Sequence, residues 1–254
     1  MMWNPFDFSG KKIIVAGASS GMGKAIAIKL SQQGAEVCLM GRNQEKLNAT
    51  LCEMHGDNHR CFIKDFSQSG GYKEIYDEIT ADGHKIDGLV YCAGIAKILP
   101  VSLLEKKTMD ESMTTNFYSF VEMVSMLSKN KYHDKTSIVG ISSISTLYPQ
   151  KCQGIYVATK SAMNSMVTAM AIEVAKKKIR INTILPASTR TKMLEEAFEN
   201  KSEDQIEASI KQQVLGMIEP DDIADIVMFL LSDASKMITG RSIFADGGYI
   251  DFWA

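Results

Sequence analysis

The fold of this chain is decided near its start, where residues 13–23 read IIVAGASSGMG. The apolar run predicts a buried strand, and the residues after the glycines predict an amphipathic helix. Three glycines, Gly17, Gly21 and Gly23, lie at the junction. Gly17 allows a tight turn, and Gly23 allows the helix to pack closely on the sheet. Gly21 lets backbone N–H groups at the helix N-terminus approach a pyrophosphate, so the stretch predicts a dinucleotide-binding turn.

The same alternation of short apolar runs and amphipathic stretches continues along the chain. Strands are predicted at Lys11–Ala16, Glu36–Met40, Arg60–Lys64, Gly88–Cys92, Ser137–Ile141, Ile179–Leu185 and Ser242–Phe244. Helices are predicted at Gly21–Gln33, Gln44–Met54, Tyr72–Thr80, Thr114–Lys129, Gly154–Lys176, Thr191–Gln213 and Asp221–Leu231. This order predicts right-handed βαβ units, hence an α/β fold with a Rossmann-type, doubly wound parallel sheet of about seven strands. We expect helices on both faces, in three layers, and a single domain over residues 1–254.

Composition excludes several classes of protein. The chain has 45% hydrophobic and 23% charged residues, which is typical of a globular protein rather than a disordered one. Its net charge of -2 gives no basic excess for nucleic acid or an anionic membrane. The apolar stretches are too short to span a bilayer, and the N-terminus does not resemble a secretory signal. Five scattered cysteines indicate reduced thiols, so we expect a cytoplasmic protein.

Catalytic candidates lie in the second half of the chain. Tyr156 and Lys160 form a Y-x-x-x-K pair, whose spacing places both side chains on one face of a helix. An ammonium beside a phenol favours release of the phenol proton. Roughly one such match is expected by chance in a chain of this composition, so the pair depends on its context. Ser143 follows a predicted strand 13 residues earlier, and Asn116 lies 27 residues before that.

These motifs resemble those of the short-chain dehydrogenase/reductase family, in particular its bacterial carbonyl and 3-oxoacyl reductases of about 250 residues. The glycine turn is similar to the family's T-G-x-x-x-G-x-G, with Ala16 in the first position. The resemblance implies that Tyr156 is the general acid/base, and that Ser143 hydrogen-bonds the substrate oxygen. It further implies that Lys160 lowers the pKa of Tyr156 and holds the nicotinamide ribose. Asn116 would position a water in the proton relay, although taken alone it could be a residue that caps a helix start.

The same resemblance implies a set of cofactor-binding residues. They are Gly17, Ser19, Ser20, Gly21, Met22, Gly23, Arg42, Asp65, Phe66, Cys92, Ala93, Gly94, Tyr156, Lys160, Pro186 and Thr191. Asp65 would contact the adenine, or alternatively be a turn residue that caps the next helix. Tyr91 and Cys92 replace two family asparagines, so the hydrogen bonds of those amides must be made differently here. Ala187 replaces a family glycine and cannot cheaply take a positive φ, so we expect that loop to differ.

The end of the second predicted strand bears on cofactor choice. Family members that select NAD carry an acidic residue there, whereas this chain has Gly41 and Arg42. A planar guanidinium suits a 2′-phosphate, so NADP(H) is the preferred cofactor and NAD(H) remains possible. Ser20 stands where a second cation sometimes occurs, which leaves one cation for the phosphate. The alternative is that Arg42 is a solvated surface residue.

Other patterns carry less weight. The spacing Cys52-x2-His55-x3-His59-x-Cys61 resembles a zinc cluster, but it straddles a predicted turn and we expect no metal there. No Ser-His-Asp set can be assembled, which disfavours a hydrolase. The polar stretch Leu194–Gln213 is either a solvated helix or a lid, and the resemblance favours a substrate lid over about residues 187–215.

The resemblance implies an NAD(P)(H)-dependent oxidoreductase that transfers a hydride between nicotinamide C4 and a carbonyl or secondary alcohol. The small-molecule substrate stays open among a ketone, a 3-oxoacyl thioester and a keto sugar. Apolar residues in the segments Ala96–Leu99, Ser145–Gln153 and Ala187–Ala197 are the pocket candidates, with few charges among them. The alternative function is a structural or regulatory subunit that binds the cofactor with little turnover. Long predicted helices with apolar surfaces indicate a homodimer or homotetramer.

Overall fold

The computed structural model describes residues 4–199 and 202–249. Its strands are β1 Lys12–Ala16, β2 Glu36–Gly41, β3 Arg60–Ile63, β4 Gly88–Tyr91, β5 Thr136–Ile141, β6 Ile179–Pro186 and β7 Ser242–Ala245. Its α-helices are α1 Gly21–Gln32, α2 Gln44–Cys52, α3 Tyr72–Ile79, α4 Lys106–Met113, α5 Ser119–Leu127, α6 Gly154–Val174, α7 Lys192–Phe198, α8 Glu203–Lys211 and α9 Pro220–Leu231. All seven predicted strands are present, within one or two residues of the predicted bounds.

The strands form one parallel sheet in the order β3-β2-β1-β4-β5-β6-β7. From β1 the strands add in one direction to β3, and from β4 they add in the opposite direction to β7. The position between β1 and β4 is therefore the topological switch point. Because every strand is parallel, all carboxyl ends lie along one edge. This confirms the predicted doubly wound fold, and it makes the edge near β1, β4 and β5 the expected place for a ligand.

The core lies in two layers, one on each face of the sheet. Side chains of successive strand residues point to opposite faces, so Ile14 packs on one side and Ile13 on the other. The first layer contains residues of α3, α5 and α6, and the second contains residues of α1 and α9. Strands buried on both faces explain why the sequence shows continuous apolar runs rather than alternation.

Two predicted helices have different bounds in the structure. The helix predicted from Thr114 begins eight residues earlier, because α4 and α5 are joined by a π-helical turn over Thr114–Tyr118. Only Ser112 of α4 is buried, so this helix has no apolar stripe by which a sequence pattern could detect it. The stretch predicted as one helix from Thr191 is two helices, α7 and α8, and the residues between them include Asn200 and Lys201, which lie outside the described residues.

Among the described residues, no helix has the length and apolar character that crossing a membrane requires.

Candidate active site

The glycine turn lies between β1 and α1, at the carboxyl edge of the sheet. Gly17 has a φ of 86°, and a Cβ there would stand 2.6 Å from the backbone nitrogen of Ala93. A Cβ at Gly23 would stand 2.1 Å from the Gly17 carbonyl oxygen. Both positions therefore require glycine, the first for its backbone angle and its neighbour, the second for close packing. The turn is thereby pressed against the segment that follows β4.

The first turn of α1 opens toward the same edge. Ser20 is the residue before the helix, and its side chain makes no capping hydrogen bond. Gly21 has a φ of 53°, and its missing Cβ would lie 3.2 Å from Thr191 Cγ2. Ser19 and Met22 are half-buried beside it. Because the first N–H groups of a helix lack partners within the helix, this end offers donors and a positive dipole to a phosphate.

Arg42 and Asp65 follow the ends of β2 and β3, and both are exposed. Asp65 accepts hydrogen bonds from the N–H and hydroxyl of Ser67, at 2.9 and 2.8 Å. These bonds lower the pKa of Asp65, and the nearby charge of Arg42 adds to the effect. The carboxylate thus stabilises the turn at residues 65–67. It does not cap α3, which begins only after Gly71. A Cβ at Gly41 would meet Leu47 Cδ2 at 3.3 Å, so the space at that position is narrow rather than open.

The segment after β4 lies beside the glycine turn. The Cys92 N–H donates to the Ala16 carbonyl at 2.8 Å, and the Cys92 Cβ lies 3.2 Å from the position of a Cβ at Gly23. Ala93 is buried against Gly17, as described above, while Gly94 is half-buried. Phe66, which follows β3, packs edge-on against the ring of Tyr91 at a centroid distance of 5.6 Å. These residues form one wall of the cleft.

Tyr156 lies in the first turn of α6, close to the end of β5. Burial raises the pKa of its phenol, and a hydrogen bond with the Ser143 side chain counteracts part of that rise. Ser143 is buried and extended, and its hydroxyl also accepts from the Ser145 N–H at 3.1 Å. The neighbouring serine, Ser142, instead directs its hydroxyl to the Lys160 carbonyl. The structure therefore brings Tyr156 close to Ser143 rather than to Ser142.

Lys160 is buried one helical turn after Tyr156. Its ammonium donates to the Ile141 carbonyl at 2.7 Å and lies 6.0 Å from the centre of the Tyr156 ring. Desolvation lowers the pKa of Lys160 to about 8. The nitrogen is also 3.4 Å from the position of a Cβ at Gly94, so the missing side chain of this glycine leaves space beside the ammonium.

Asn116 lies inside the π-helical turn and is fully buried. Its Oδ1 accepts from the Ile95 N–H at 2.8 Å, and its Nδ2 donates to the Ile95 carbonyl and to Thr159 Oγ1, each at 2.9 Å. Thr159 Oγ1 in turn donates to the Tyr156 carbonyl at 2.7 Å. Asn116 is therefore in the middle of a continuous helical segment, not at a helix start where it would act as a cap. Its Oδ1 is also 3.4 Å from the Cβ position at Gly94.

Pro186 ends β6, and the next residues run toward the glycine turn. Ala187 donates its N–H to the Ala245 carbonyl at 3.2 Å and has no positive φ, so the alanine is accommodated without backbone strain. That this loop differs from the glycine-containing loop of relatives stays a prediction. Thr191 directly precedes α7, with its hydroxyl donating to the Thr189 carbonyl at 3.3 Å and its methyl group facing Gly21.

The zinc-like spacing is explained by a structural histidine. His59 is buried, its Nδ1 accepts from the Val37 N–H at 3.1 Å, and its Nε2 bonds the His55 carbonyl at 2.8 Å. Both ring nitrogens are therefore occupied by backbone groups. Across residues 4–199 and 202–249, no group of His, Cys, Asp and Glu side chains has a geometry that could hold a metal ion.

A crevice of about 610 Å³ lies at the opposite, amino edge of the sheet. Two ion pairs line it, Lys11 with Asp87 at 3.0 Å and Lys135 with Asp233 at 2.6 Å. Arg180 donates to carbonyls at the end of α9 and just beyond it. These contacts account for part of the charge of the crevice, which Lys178 and Lys236 also line.

Sequence reasoning missed two residues of the site, Thr159 and Ile95. Thr159 lies between Tyr156 and Lys160 in the Y-x-x-x-K motif. The available clue in the sequence was the position of its hydroxyl beside the two catalytic candidates. Ile95 takes part through its backbone, and no side-chain pattern could have identified it.

The family model described as Enoyl-(Acyl carrier protein) reductase matches residues 17–250 of this chain. The 3-oxoacyl-[acyl-carrier-protein] reductase of Rickettsia conorii is 31% identical, over 96% of this chain and 98% of that protein. The chain belongs to the short-chain dehydrogenase/reductase family. The L-xylulose reductase of Caenorhabditis elegans, another similar protein, is 27% identical over 96% of this chain and 97% of its own.

A solved structure gives the same relationship. The 3-oxoacyl (acyl-carrier-protein) reductase of Agrobacterium tumefaciens, with NADP bound, matches with a TM-score of 0.87 at 26% identity and covers 98% of each chain. This short-chain dehydrogenase/reductase is thus an enzyme acting on CH–OH or C=O groups with NAD(P). The residues present fit such a dinucleotide, because the start of α1 presents N–H groups without helical partners and the missing side chain of Gly94 leaves space beside the Lys160 ammonium.

Proposed function

We propose that this protein is an NADPH-preferring oxidoreductase that interconverts a carbonyl and a secondary alcohol, with Tyr156 as general acid/base. The observation that carries the proposal is the position of Tyr156, near Ser143 and one helical turn from Lys160, at the sheet edge that also holds the glycine turn. When bound, the nicotinamide supplies or accepts the hydride. The protein then has to bind, orient and protonate the substrate.

Each side chain has a role that follows from its donors and acceptors. In reduction, the Tyr156 hydroxyl gives its proton to the substrate oxygen, and the raised pKa of this phenol keeps that proton available. The Ser143 hydroxyl donates to the same oxygen and orients it. The Lys160 ammonium stabilises the resulting phenolate and offers donors to the nicotinamide ribose. Asn116 holds the Ile95 backbone at the edge of the cleft and supports the proton relay.

The decisive experiment is Tyr156→Phe, which removes the acid and keeps the ring. We expect turnover to fall by about 10²–10⁴-fold while NADPH still binds. Ser143→Ala should also lower turnover, whereas Ser142→Ala is its matched control because that hydroxyl bonds only the backbone here. Steady-state rates and fluorescence titration of NADPH measure the two effects separately. Wild-type turnover by Tyr156→Phe on any accepted substrate would overturn the proposal.

We further propose that Arg42 selects NADPH over NADH. Its guanidinium is exposed, directly follows β2 and lies near Asp65. The exposure and the position at the carboxyl edge of the sheet support a contact with a 2′-phosphate. A charge-assisted contact is worth about 1.5–3 kcal/mol, or roughly 10- to 150-fold in affinity. Because Ser20 provides no second cation and Asp65 lies close, we expect a preference at the lower end of that range.

The cofactor proposal is tested by titrating both cofactors by fluorescence. Arg42→Ala should weaken NADPH and leave NADH nearly unchanged, and Lys46→Ala, on the exposed start of α2, is a control for general loss of charge. Gly41→Asp should reverse the preference if Leu47 moves by a few tenths of an ångström, so its melting temperature is measured alongside. Tighter binding of NADH by the unmutated protein would show that Arg42 is only a surface residue.

Two of the predicted segments that bound the substrate pocket are Ala96–Leu99, after β4, and Ser145–Gln153, after β5. They are joined by a hydrogen bond from the Leu99 N–H to the Cys152 carbonyl at 2.9 Å. Apolar surface is exposed at Ile98, Leu147 and Met193. Three of the four basic residues that could receive an acidic carrier protein are in ion pairs: Lys97 with Glu111, Arg190 with Glu219 and Lys192 with Glu196. The fourth, Lys151, is exposed. These contacts support a free, small or medium substrate: a ketone, a keto sugar or a short thioester.

A panel of ketones, keto sugars and 3-oxoacyl thioesters, followed by NADPH absorbance, tests the substrate class. A 3-oxoacyl N-acetylcysteamine thioester and the same acyl group on carrier protein form a matched pair. We expect the free thioester to be reduced at least as efficiently as the carrier-bound one. The opposite order would identify a carrier-protein reductase, and no turnover with any compound would favour a non-catalytic subunit.

We also propose a cytoplasmic location, a single domain with a lid over about residues 187–215, and a homodimer or homotetramer. The five cysteines are all free thiols in the structure, which supports a reducing compartment.

A further inference from the structure

The π-helical turn that carries Asn116 leaves one buried carbonyl without its ordinary helical donor. In an α-helix the Ser119 N–H would donate to the carbonyl four residues before it, which belongs to Thr115. Here it donates to the Thr114 carbonyl, five residues before it. Thr115 is buried, so its carbonyl needs a donor from outside the helix.

Tyr91 provides that donor. Its hydroxyl donates to the Thr115 carbonyl at 2.5 Å, and its side chain is fully buried at the end of β4. The ring packs against Phe66 and Phe120, with centroid distances of 5.6 and 5.4 Å. The hydroxyl is thus held by a rigid strand and two aromatic contacts, in the position of a family asparagine that this chain lacks.

We propose that Tyr91 is a positioning residue that stabilises the π-helical turn and thereby holds Asn116 in its working orientation; this inference rests on the proposed oxidoreductase function. The turn shifts the helix by one residue at Asn116, so that its amide clamps both backbone groups of Ile95 and reaches Thr159. Thr159 then bonds the carbonyl of Tyr156, which connects the turn to the helix that carries the catalytic side chains.

The test is Tyr91→Phe, which keeps the aromatic packing and removes the hydroxyl. We expect kcat to fall by about 5–30-fold, because the turn that carries Asn116 shifts when the Thr115 carbonyl loses its donor, while the KM for NADPH changes less than twofold. Tyr76→Phe is the matched control, because Tyr76 is also fully buried and donates its hydroxyl to a backbone carbonyl of α5, that of Met123, at 3.2 Å. It should lower the melting temperature similarly and leave kcat unchanged.

A double-mutant cycle separates positioning from a general structural effect. Tyr91 acts through Asn116 in this proposal, so Tyr91→Phe should have little further effect on kcat in an Asn116→Ala background. Faster amide hydrogen exchange at residues 114–119 of Tyr91→Phe, but not of Tyr76→Phe, is expected even without substrate. Unchanged kcat in Tyr91→Phe, or additive effects in the cycle, would overturn this inference. An active Tyr156→Phe variant would instead overturn the proposed function.

Discussion

At the scale of single residues, burial determines how the catalytic groups titrate. The phenol of Tyr156 loses water on entering the protein, which raises its pKa, and the Lys160 ammonium loses water as well, which lowers its pKa to about 8. The two shifts oppose the simple expectation that the ammonium makes the phenol more acidic. The lysine bonds the Ile141 carbonyl and not the phenol, so desolvation has the larger effect.

These shifts predict the pH dependence of reduction. Lys160 is charged below its pKa and loses its proton as the pH rises through about 8, so the rate of NADPH-dependent reduction should fall above that pH. The raised pKa of Tyr156 keeps the phenol protonated in that range. Lys160→Arg retains the charge and should abolish the decline, whatever its absolute rate. A wild-type kcat/KM profile that stays flat from pH 7 to 10 would contradict this assignment.

At the scale of elements, α7 and α8 differ from α9 in how many residues they bury. Neither α7 nor α8 has a fully buried residue, whereas α9 buries Ile223, Val227 and Leu230 among others. A capping box between Ser202 and Gln205 stabilises the start of α8 locally. Because α7 and α8 bury so few residues, we expect their stability to depend on local contacts and on contacts with a bound ligand.

We therefore expect the lid to be mobile without ligand. In amide hydrogen exchange, peptides from Leu194–Gln213 should exchange rapidly in the free protein and become protected when NADPH and a substrate analogue are added. The helix α9 is the internal reference, because it should be protected in both states. Deep and equal protection of the lid with and without ligand would contradict its assignment.

At the scale of the whole molecule, the predicted assembly involves α5 and α6. The sequence indicated excess apolar residues on α6, but Met163, Met170 and Ala171 are buried in the protein's own core. What stays exposed includes Tyr118 beside α5 and Ile172 on α6, of which the latter is 78% exposed. These side chains support a two-fold interface, although fewer residues contribute to it than the sequence pattern implied.

The oligomer prediction is checked by light scattering. We expect a mass of two or four times the 28.1 kDa of one chain at micromolar concentration. The elution volume on size exclusion should not change on dilution to that range if the interface is obligate. A stable 28.1 kDa monomer would refute the prediction.

The sequence by itself determined the sheet, the glycine turn and the residues that meet at its carboxyl edge. Strand and helix periods are local properties, and the positions of Gly17 and Gly23 follow from close backbone contacts that permit no side chain. The spacing to Tyr156 that the family resemblance implies favoured Ser143 over its neighbour Ser142.

Only the tertiary structure decided how Asn116 is held. The π-helical turn, the helix α4 before it and the hydroxyl of Tyr91 are linked by contacts between residues far apart in the chain. The periodicity of the sequence does not show that the Ser119 N–H donates to the Thr114 carbonyl instead of the Thr115 carbonyl. Likewise, the pKa of Lys160 depends on burial by its neighbours, and burial is a property of the packed molecule rather than of the motif.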